Sequence, residues 1–434
     1  MNKKRPDYSK DISHRHLEFR GLTLRETPLV YSVPKKEAKK PLELTLLSNI
    51  QFIYELALAR LELHALGANF QVVNNLRTFK VFNKVDEELL RHRSAYFEKV
   101  GDKETEYYHL QKYNLTRSVN QYLTHWIYPY KGKYHPQMIR ALLNIIGIKP
   151  GEMVLDPFIG SGTTAVECEV MGINCIGIDV SPLCVLISKV KTESIEVLDE
   201  ILQYADVIKP NKDEFQKNIF GEKKTEEIRD ERVKNFYVTA EMIAHSDNSR
   251  RGRNFESSFY ENIQKMITSV RDFKKAKQDL GLTLGKVRIE EGDARKLKLR
   301  NESIDGIITS PPYSIALNYV ENDAHSLKAL GYDLNKIKED FVGVRGSGFQ
   351  KFELYYKDIS KSISEMYRVL KKGRYCVIVI GNVTYQSKEV DTTEKTIRFC
   401  QDAGFSFRKK IEKIIYGLYN VMQKEYILIF RKGK

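Results

Sequence analysis

The sequence predicts an α/β fold, a doubly wound sheet with an N-terminal helical region and a helical insertion. Three observations carry this. Short apolar runs of strand length, at Val154-Leu155, Cys175–Asp179, Ser303–Thr309 and Gly373–Asn382, alternate with stretches of helical spacing. The first run leads through Asp156-Pro157-Phe158 into Gly160-Ser161-Gly162, a turn too tight for most side chains. Asp179 stands at the tip of the next strand, roughly 20 residues on, where a ribose hydroxyl can be bound. Such sheets take their ligands at the carboxyl ends of their strands.

A chain of 434 residues holds two or three domains and buries a large core. Its net charge of +14, with 11% aromatic residues, favours a polyanionic partner. The five cysteines, Cys168, Cys175, Cys184, Cys376 and Cys400, form no C-x-x-C pair and are expected as buried free thiols; neither a disulfide framework nor a metal site is expected. No apolar run reaches the roughly 18 residues of a membrane span. The basic N-terminus lacks an apolar core for export, so a cytoplasmic protein is expected.

Residues 1–41 are basic and broken by Pro6, Pro28, Pro34 and Pro41, and read as an arm. Residues 42–115 read as a small helical domain, with Leu46, Ile50, Ile53, Ala57 and Leu61 as its core face. The α/β domain is assigned to 116–190 and 285–434. Within it, Pro136 occupies the first turn of a helix that begins after His135. The cluster Trp126, Tyr128, Tyr130 and Tyr134 suits a hydrophobic lid over the ligand or, alternatively, a nucleic-acid surface. Gly172 stops the helix that follows the glycine turn, and Ser181-Pro182 caps the next one.

Residues 191–284 then interrupt the α/β pattern with charged, helix-rich sequence. In its middle Arg250, Arg251 and Arg253 stand among small polar residues beside Gly252. That composition suits contact with phosphates and equally suits a solvated loop between helices. The α/β pattern resumes at Lys286–Ala294 and includes Asp293 at a strand end. Residues 303–309 run straight into Ser310-Pro311-Pro312-Tyr313.

The string Asp156-Pro-Phe-x-Gly-Ser-Gly-Thr-Thr164, taken with Gly292-Asp293-Ala294 and Ser310-Pro-Pro-Tyr313, resembles the S-adenosylmethionine-dependent DNA amino-methyltransferases, the cytosine-N4 and adenine-N6 enzymes. The resemblance covers roughly 125–190 and 285–434 and implies a Rossmann-like sheet. It implies that Asp156, Pro157, Phe158, Gly160, Gly162 and Thr163 surround the cofactor, with Asp156 facing its positive charge. It further implies that Asp293 receives the adenine amino group, and that the segment at His135-Pro136 packs on the methionine end. Ser310 and the carbonyl between Pro311 and Pro312 would hold the hydrogens of an exocyclic amine, with Tyr313 stacked on the flipped base. Asn318, with Glu321, Asn322, Asp323 and His325, would border the base pocket or form a solvated face. Arg345–Gly348 would cover the substrate or form a plain surface turn.

A serine at the head of the tetrapeptide is closest to the cytosine-N4 group. The expected partners are duplex DNA and a restriction endonuclease of the same site. Adenine N6, an RNA base and an inactive nucleic-acid-binding subunit are the alternatives. Many relatives place the tetrapeptide before the glycine turn, and this departure leaves the target-reading region open between 191–284 and the N-terminal region.

Overall fold

In the computed structural model, which describes residues 41–116, 118–130, 132–207, 228–313, 319–346, 350–385, 388–414 and 424–434, the first element is a strand. β1 (Leu42–Leu46), β2 (Phe70–Val73), β3 (Thr78–Val81), β4 (Phe97–Val100) and β5 (Lys103–Glu104) form an antiparallel sheet in the order β2-β3-β1-β4-β5. Helices Ile53–Ala65, Glu87–Arg93 and Glu106–Leu110 accompany it. The expectation of a helical domain over 42–115 is therefore corrected.

The physical reason lies in Leu42-Glu-Leu-Thr-Leu46. This run alternates as a strand does, and β3 and β4 supply it with backbone partners on both sides. The helix starts only after Phe52, whose amide donates to Glu55 Oε2 at 3.0 Å. Its core face is Tyr54, Leu58, Ala59 and Leu63, and Ile53 is 83% exposed. Leu46 and Ile50 are buried as expected, whereas Ala57 and Leu61 are half-buried.

The central sheet runs in the order β13-β14-β10-β9-β6-β7-β8. Its parallel part comprises β6 (Met153–Asp156), β7 (Asn174–Asp179), β8 (Val287–Glu291), β9 (Ile304–Thr309) and β10 (Leu370–Gly381). A short hairpin, β11 (Val383–Tyr385) and β12 (Lys388–Val390), follows. β14 (Lys424–Lys432) pairs antiparallel to β10, and β13 (Phe405–Ile414) pairs antiparallel to β14 and closes the sheet. Every residue of β9 is buried, as a central parallel strand covered on both faces requires. The chain winds outward from β6 to β8 and returns on the other side of β6 as β9. The strand order reverses between β6 and β9, and ligands bind at such a switch point.

The described part of 191–284 is helical: Leu198–Val207, Glu231–Arg251 and Phe255–Asp279. The two long helices pack on each other, and the first also packs on the helix Pro182–Glu193. Ser181 caps the latter, accepting from the Cys184 amide at 3.5 Å. All five cysteines are free and buried. Among the described residues, no helix is long and apolar enough to cross a membrane, and no group of His, Cys, Asp and Glu could hold a metal ion. The arm at 1–40, Asn318 and residues 347–349 lie outside the described residues.

Candidate active site

The cleft forms where β6, β7, β8 and β9 end. Asp156 closes β6, and the turn after it reaches Gly162, which caps the helix Thr163–Val170 with φ of +81°. A Cβ there would meet Ser188 Oγ at 2.9 Å and its Cα at 3.1 Å, so only glycine lets the turn lie on that neighbouring helix. Asp179 closes β7 and ties back to the turn. Its Oδ2 accepts from the Gly160 amide and its Oδ1 from the Ser181 amide, both at 2.9 Å. Burial pushes its carboxyl up to about 6, against the pull of these amides.

Of the residues expected here, Pro157, Phe158, Gly160, Thr163, Asp179, Asp293, Ser310 and Pro312 line one cleft. The glycine turn and the tetrapeptide thus face each other, although about 150 residues separate them. Tyr130, Lys133, Tyr134, Ile159, Ser161, Val180, Tyr319 and Phe341 line it as well. Of these additional residues, Tyr130 and Tyr134 carried a sequence signal as members of the aromatic cluster, and Ile159 and Ser161 stand inside the glycine-turn string itself. The others stand in runs that read as loop or helix by composition.

Several expected residues act elsewhere. Asp156 is fully buried and does not line the cleft. It accepts from Thr309 Oγ1 and Thr164 Oγ1, both at 2.7 Å, and from the Phe158 amide at 3.2 Å. Its carboxylate is consumed in joining β6 to β9, so it does not face a ligand's charge. Burial pushes it up to about 6. Gly162 supports the turn from beneath. His135 precedes the helix Pro136–Ile145; its ring lies 3.4 Å from Asn120 Nδ2, and burial lowers its pKa to about 4. Neither His135 nor Pro136 lines the cleft, because their helix turns inward to the core.

Tyr313 also departs from expectation. It is 4% exposed, lies in the core beside β14, and donates its hydroxyl to Glu425. The aromatic residues that line the cleft are Tyr130, Tyr134, Phe158, Tyr319 and Phe341, with Tyr319 at 6.4 Å from Tyr130 and 6.0 Å from Phe341 between ring centroids. Ser310 Oγ is 3.4 Å from Tyr313 Oη and donates toward it, which leaves the serine lone pairs available.

Of the aromatic cluster, Tyr128 is buried and bonds Asp323 at 3.2 Å and Ser326 at 2.9 Å, while Trp126 donates to Ser269 of the insertion. Arg250 is engaged by the protein, with Nη2 at 2.7 Å from the Asn322 carbonyl and 3.3 Å from Asp323 Oδ1. Arg251 and Arg253 pair with Asp247 at 3.1 and 3.7 Å and remain half exposed. Arg295 grips Asp293 at 2.9 Å.

A family model described as DNA methylase matches residues 19–190 and 304–434. The chain belongs to this DNA methylase family. A second model, an RMKL-like methyltransferase domain, matches residues 128–336. The Type II methyltransferase M.MjaII of Methanocaldococcus jannaschii is 35% identical over 156 residues, 36% of this chain and 28% of that protein. M.BsoBI of Geobacillus stearothermophilus is 25% identical over 297 residues, 54% of this chain and 58% of that protein. M.MvaI of Kocuria varians is 24% identical over 359 residues, 62% of this chain and 79% of that protein. The chain thus spans little more than a quarter of the first relative and just over half of the second. A tRNA (guanine(10)-N2)-dimethyltransferase of Methanothermobacter thermautotrophicus is 37% identical over 51 residues, 12% of this chain.

The cleft of this DNA methylase fits S-adenosylmethionine. Asp179 offers acceptors to a ribose, and the glycine turn admits close backbone approach. The hydroxyls of Ser161 and Thr163 line the cleft, buried and without hydrogen-bond partners, as groups awaiting a polar ligand would be.

Proposed function

We propose that the protein is a site-specific DNA methyltransferase that moves a methyl group from S-adenosylmethionine to the exocyclic N4 of cytosine, marking sites against a restriction endonuclease. The observation that carries this is the placement of Ser310 in the same cleft as Gly160 and Asp179. When bound, S-adenosylmethionine supplies an electrophilic methyl group on a sulfonium.

An aromatic amine is a poor nucleophile because its lone pair is delocalised into the ring. Ser310, with its own hydrogen directed to Tyr313, accepts one amine hydrogen. The carbonyl of Pro311 accepts the other; the ring nitrogens of Pro311 and Pro312 carry no competing donor. Held by two acceptors, the nitrogen is favoured in a pyramidal form with its lone pair aimed along one direction. Positioning and electrostatics then carry the rate enhancement. Tyr319 and Phe341 supply apolar faces against which an extruded base can stack.

The serine at position 310 supports cytosine N4 over adenine N6. The insertion at 191–284 is assigned to target reading. Supporting this, Arg250 anchors it to Pro129 and Asn322, beside the cleft-lining segments, and leaves Arg251 and Arg253 facing outward.

Labelled methyl transfer to duplex DNA followed by nucleoside analysis tests the reading. N4-methylcytosine is expected. N6-methyladenine would move the assignment to the other base, label only in RNA would move it to the tRNA-modifying class, and no label in either would refute it.

A further inference from the structure

Two lysine amino groups lie beside the cleft, and among the described residues no carboxylate pairs with either. Lys133 lines the cleft and donates to the carbonyl of His125. Lys191 is completely buried behind it and donates to the same carbonyl at 3.2 Å and to that of Ser161 at 2.7 Å. The nearby imidazole of His125, whose Nε2 faces Glu167 at 2.9 Å, is held neutral by burial and supplies no counterion. Of the two carboxylates that line the cleft, Asp179 is engaged with the amides of Gly160 and Ser181, and Asp293 is paired with Arg295.

Burying one ammonium costs several kcal/mol unless a partner compensates it, and here two share a single carbonyl. Burial lowers Lys133 to about 8, and burial together with the neighbouring Lys133 lowers Lys191 well below its ordinary value, so an incoming anion would favour the charged form of both. The same corner holds the two unpartnered hydroxyls, Ser161 at 3% and Thr163 at 2% exposure. Thr163 opens the helix Thr163–Val170, whose amino end favours negative charge. An amino group, two hydroxyl donors and a helix terminus therefore share one cleft whose two carboxylates, Asp179 and Asp293, are engaged with other partners.

We infer that Lys133, backed by Lys191, seats the α-carboxylate of the methionine moiety of S-adenosylmethionine, with Ser161 and Thr163 as its hydroxyl donors. The inference rests on the cofactor reading above and extends it to residues outside the glycine-turn signature. The cleft is then polarised: Asp179 marks the ribose end and Lys133 the amino-acid end. The ligand's one carboxylate fixes which way round it lies.

The test is direct binding, measured by calorimetry without turnover. Wild type, Lys133→Met and Lys133→Arg are titrated with S-adenosylhomocysteine and with its analogue lacking only the carboxylate, the aminopropyl thioether of adenosine. Wild type should prefer the carboxylate ligand by about tenfold to a hundredfold, as a charge-assisted hydrogen bond predicts. Lys133→Met should lose that preference while binding the decarboxylated analogue within about threefold of wild type, and Lys133→Arg should retain part of it.

Equal wild-type affinity for the two ligands overturns the inference whether or not any variant folds. Equal losses for both ligands in Lys133→Met overturn it too, because Lys133 would then shape the pocket without reading the carboxylate. If wild type binds neither ligand, the cofactor reading itself fails. That outcome is distinct from binding without discrimination.

Discussion

Thr309 donates its hydroxyl hydrogen to Asp156 Oδ1 at 2.7 Å, joining residues 153 apart in the chain. Thr164 donates to the other oxygen at the same distance. Asp156 thereby connects the end of β6, the first turn of the helix Thr163–Val170 and the end of β9, one residue before Ser310. It is a positioning residue that sets the distance between the glycine turn and the tetrapeptide. Thr309→Val should cost about 1–3 kcal/mol, the penalty for removing a partner from a buried acceptor. Cofactor affinity should change less than kcat, because β9 shifts relative to a turn that Asp179 still holds. Denaturant unfolding and single-turnover methyl transfer check the two halves of this expectation.

Ser310→Ala removes an acceptor for the substrate amine and nothing that Asp179 or the glycine turn needs. Turnover should fall by about a hundredfold, with cofactor affinity within about twofold of wild type. Asp179→Ala should show the opposite pattern, weakening the cofactor by about tenfold or more through loss of a charged acceptor. Unchanged turnover in the serine variant would remove the role given to it.

Gly162→Ala places a methyl group 2.9 Å from Ser188 Oγ and 3.1 Å from its backbone Cα, at a φ of +81°. Backbone atoms cannot yield as the tip of a flexible side chain can. A loss of about 1–3 kcal/mol in stability is expected, with a weaker cofactor, and thermal unfolding with and without S-adenosylhomocysteine measures both.

Glu62 is fully buried and accepts from the Ala95 amide at 2.8 Å and Asn144 Nδ2 at 2.6 Å; burial raises its pKa from 4.5 to about 7. A raised carboxyl in the folded state binds protons that the unfolded chain has released. Its stabilisation is therefore complete below pH 4.5 and is lost as pH rises toward 7. The loss is on the order of 3 kcal/mol at most. Glu62→Gln, which keeps the acceptor and cannot ionise, should flatten the stability profile between pH 5 and 7.5. An unchanged slope in denaturant unfolding across that window would contradict the assignment.

The proposed target-reading role of the insertion makes Arg251 and Arg253, half exposed beside Asp247, its phosphate contacts. Replacing each with alanine should weaken duplex binding similarly for cognate and non-cognate DNA, and reduce the salt slope by about one per residue. A loss confined to the cognate sequence would instead point to base contact.

The sequence by itself determined the doubly wound sheet, the glycine turn with Asp179 beyond it, and the position of Ser310 at a strand end. Each is a local matter. Continuous apolar runs make central parallel strands, and a turn at φ of +81° demands glycine at 162. Residues 42–46 were not read as a strand, because their alternation is only five residues long and runs on into the helical spacing that follows; β3 and β4 decide it by providing hydrogen-bond partners. Side-chain direction was likewise decided only by packing. Asp156 turned toward Thr309 and Thr164, and Tyr313 toward Glu425, because a buried polar group goes where its partners are. Lys133 had no motif to mark it. Its meaning comes from Lys191, Ser161 and Thr163, which only the folded chain gathers beside it, away from any carboxylate that pairs with it among the described residues.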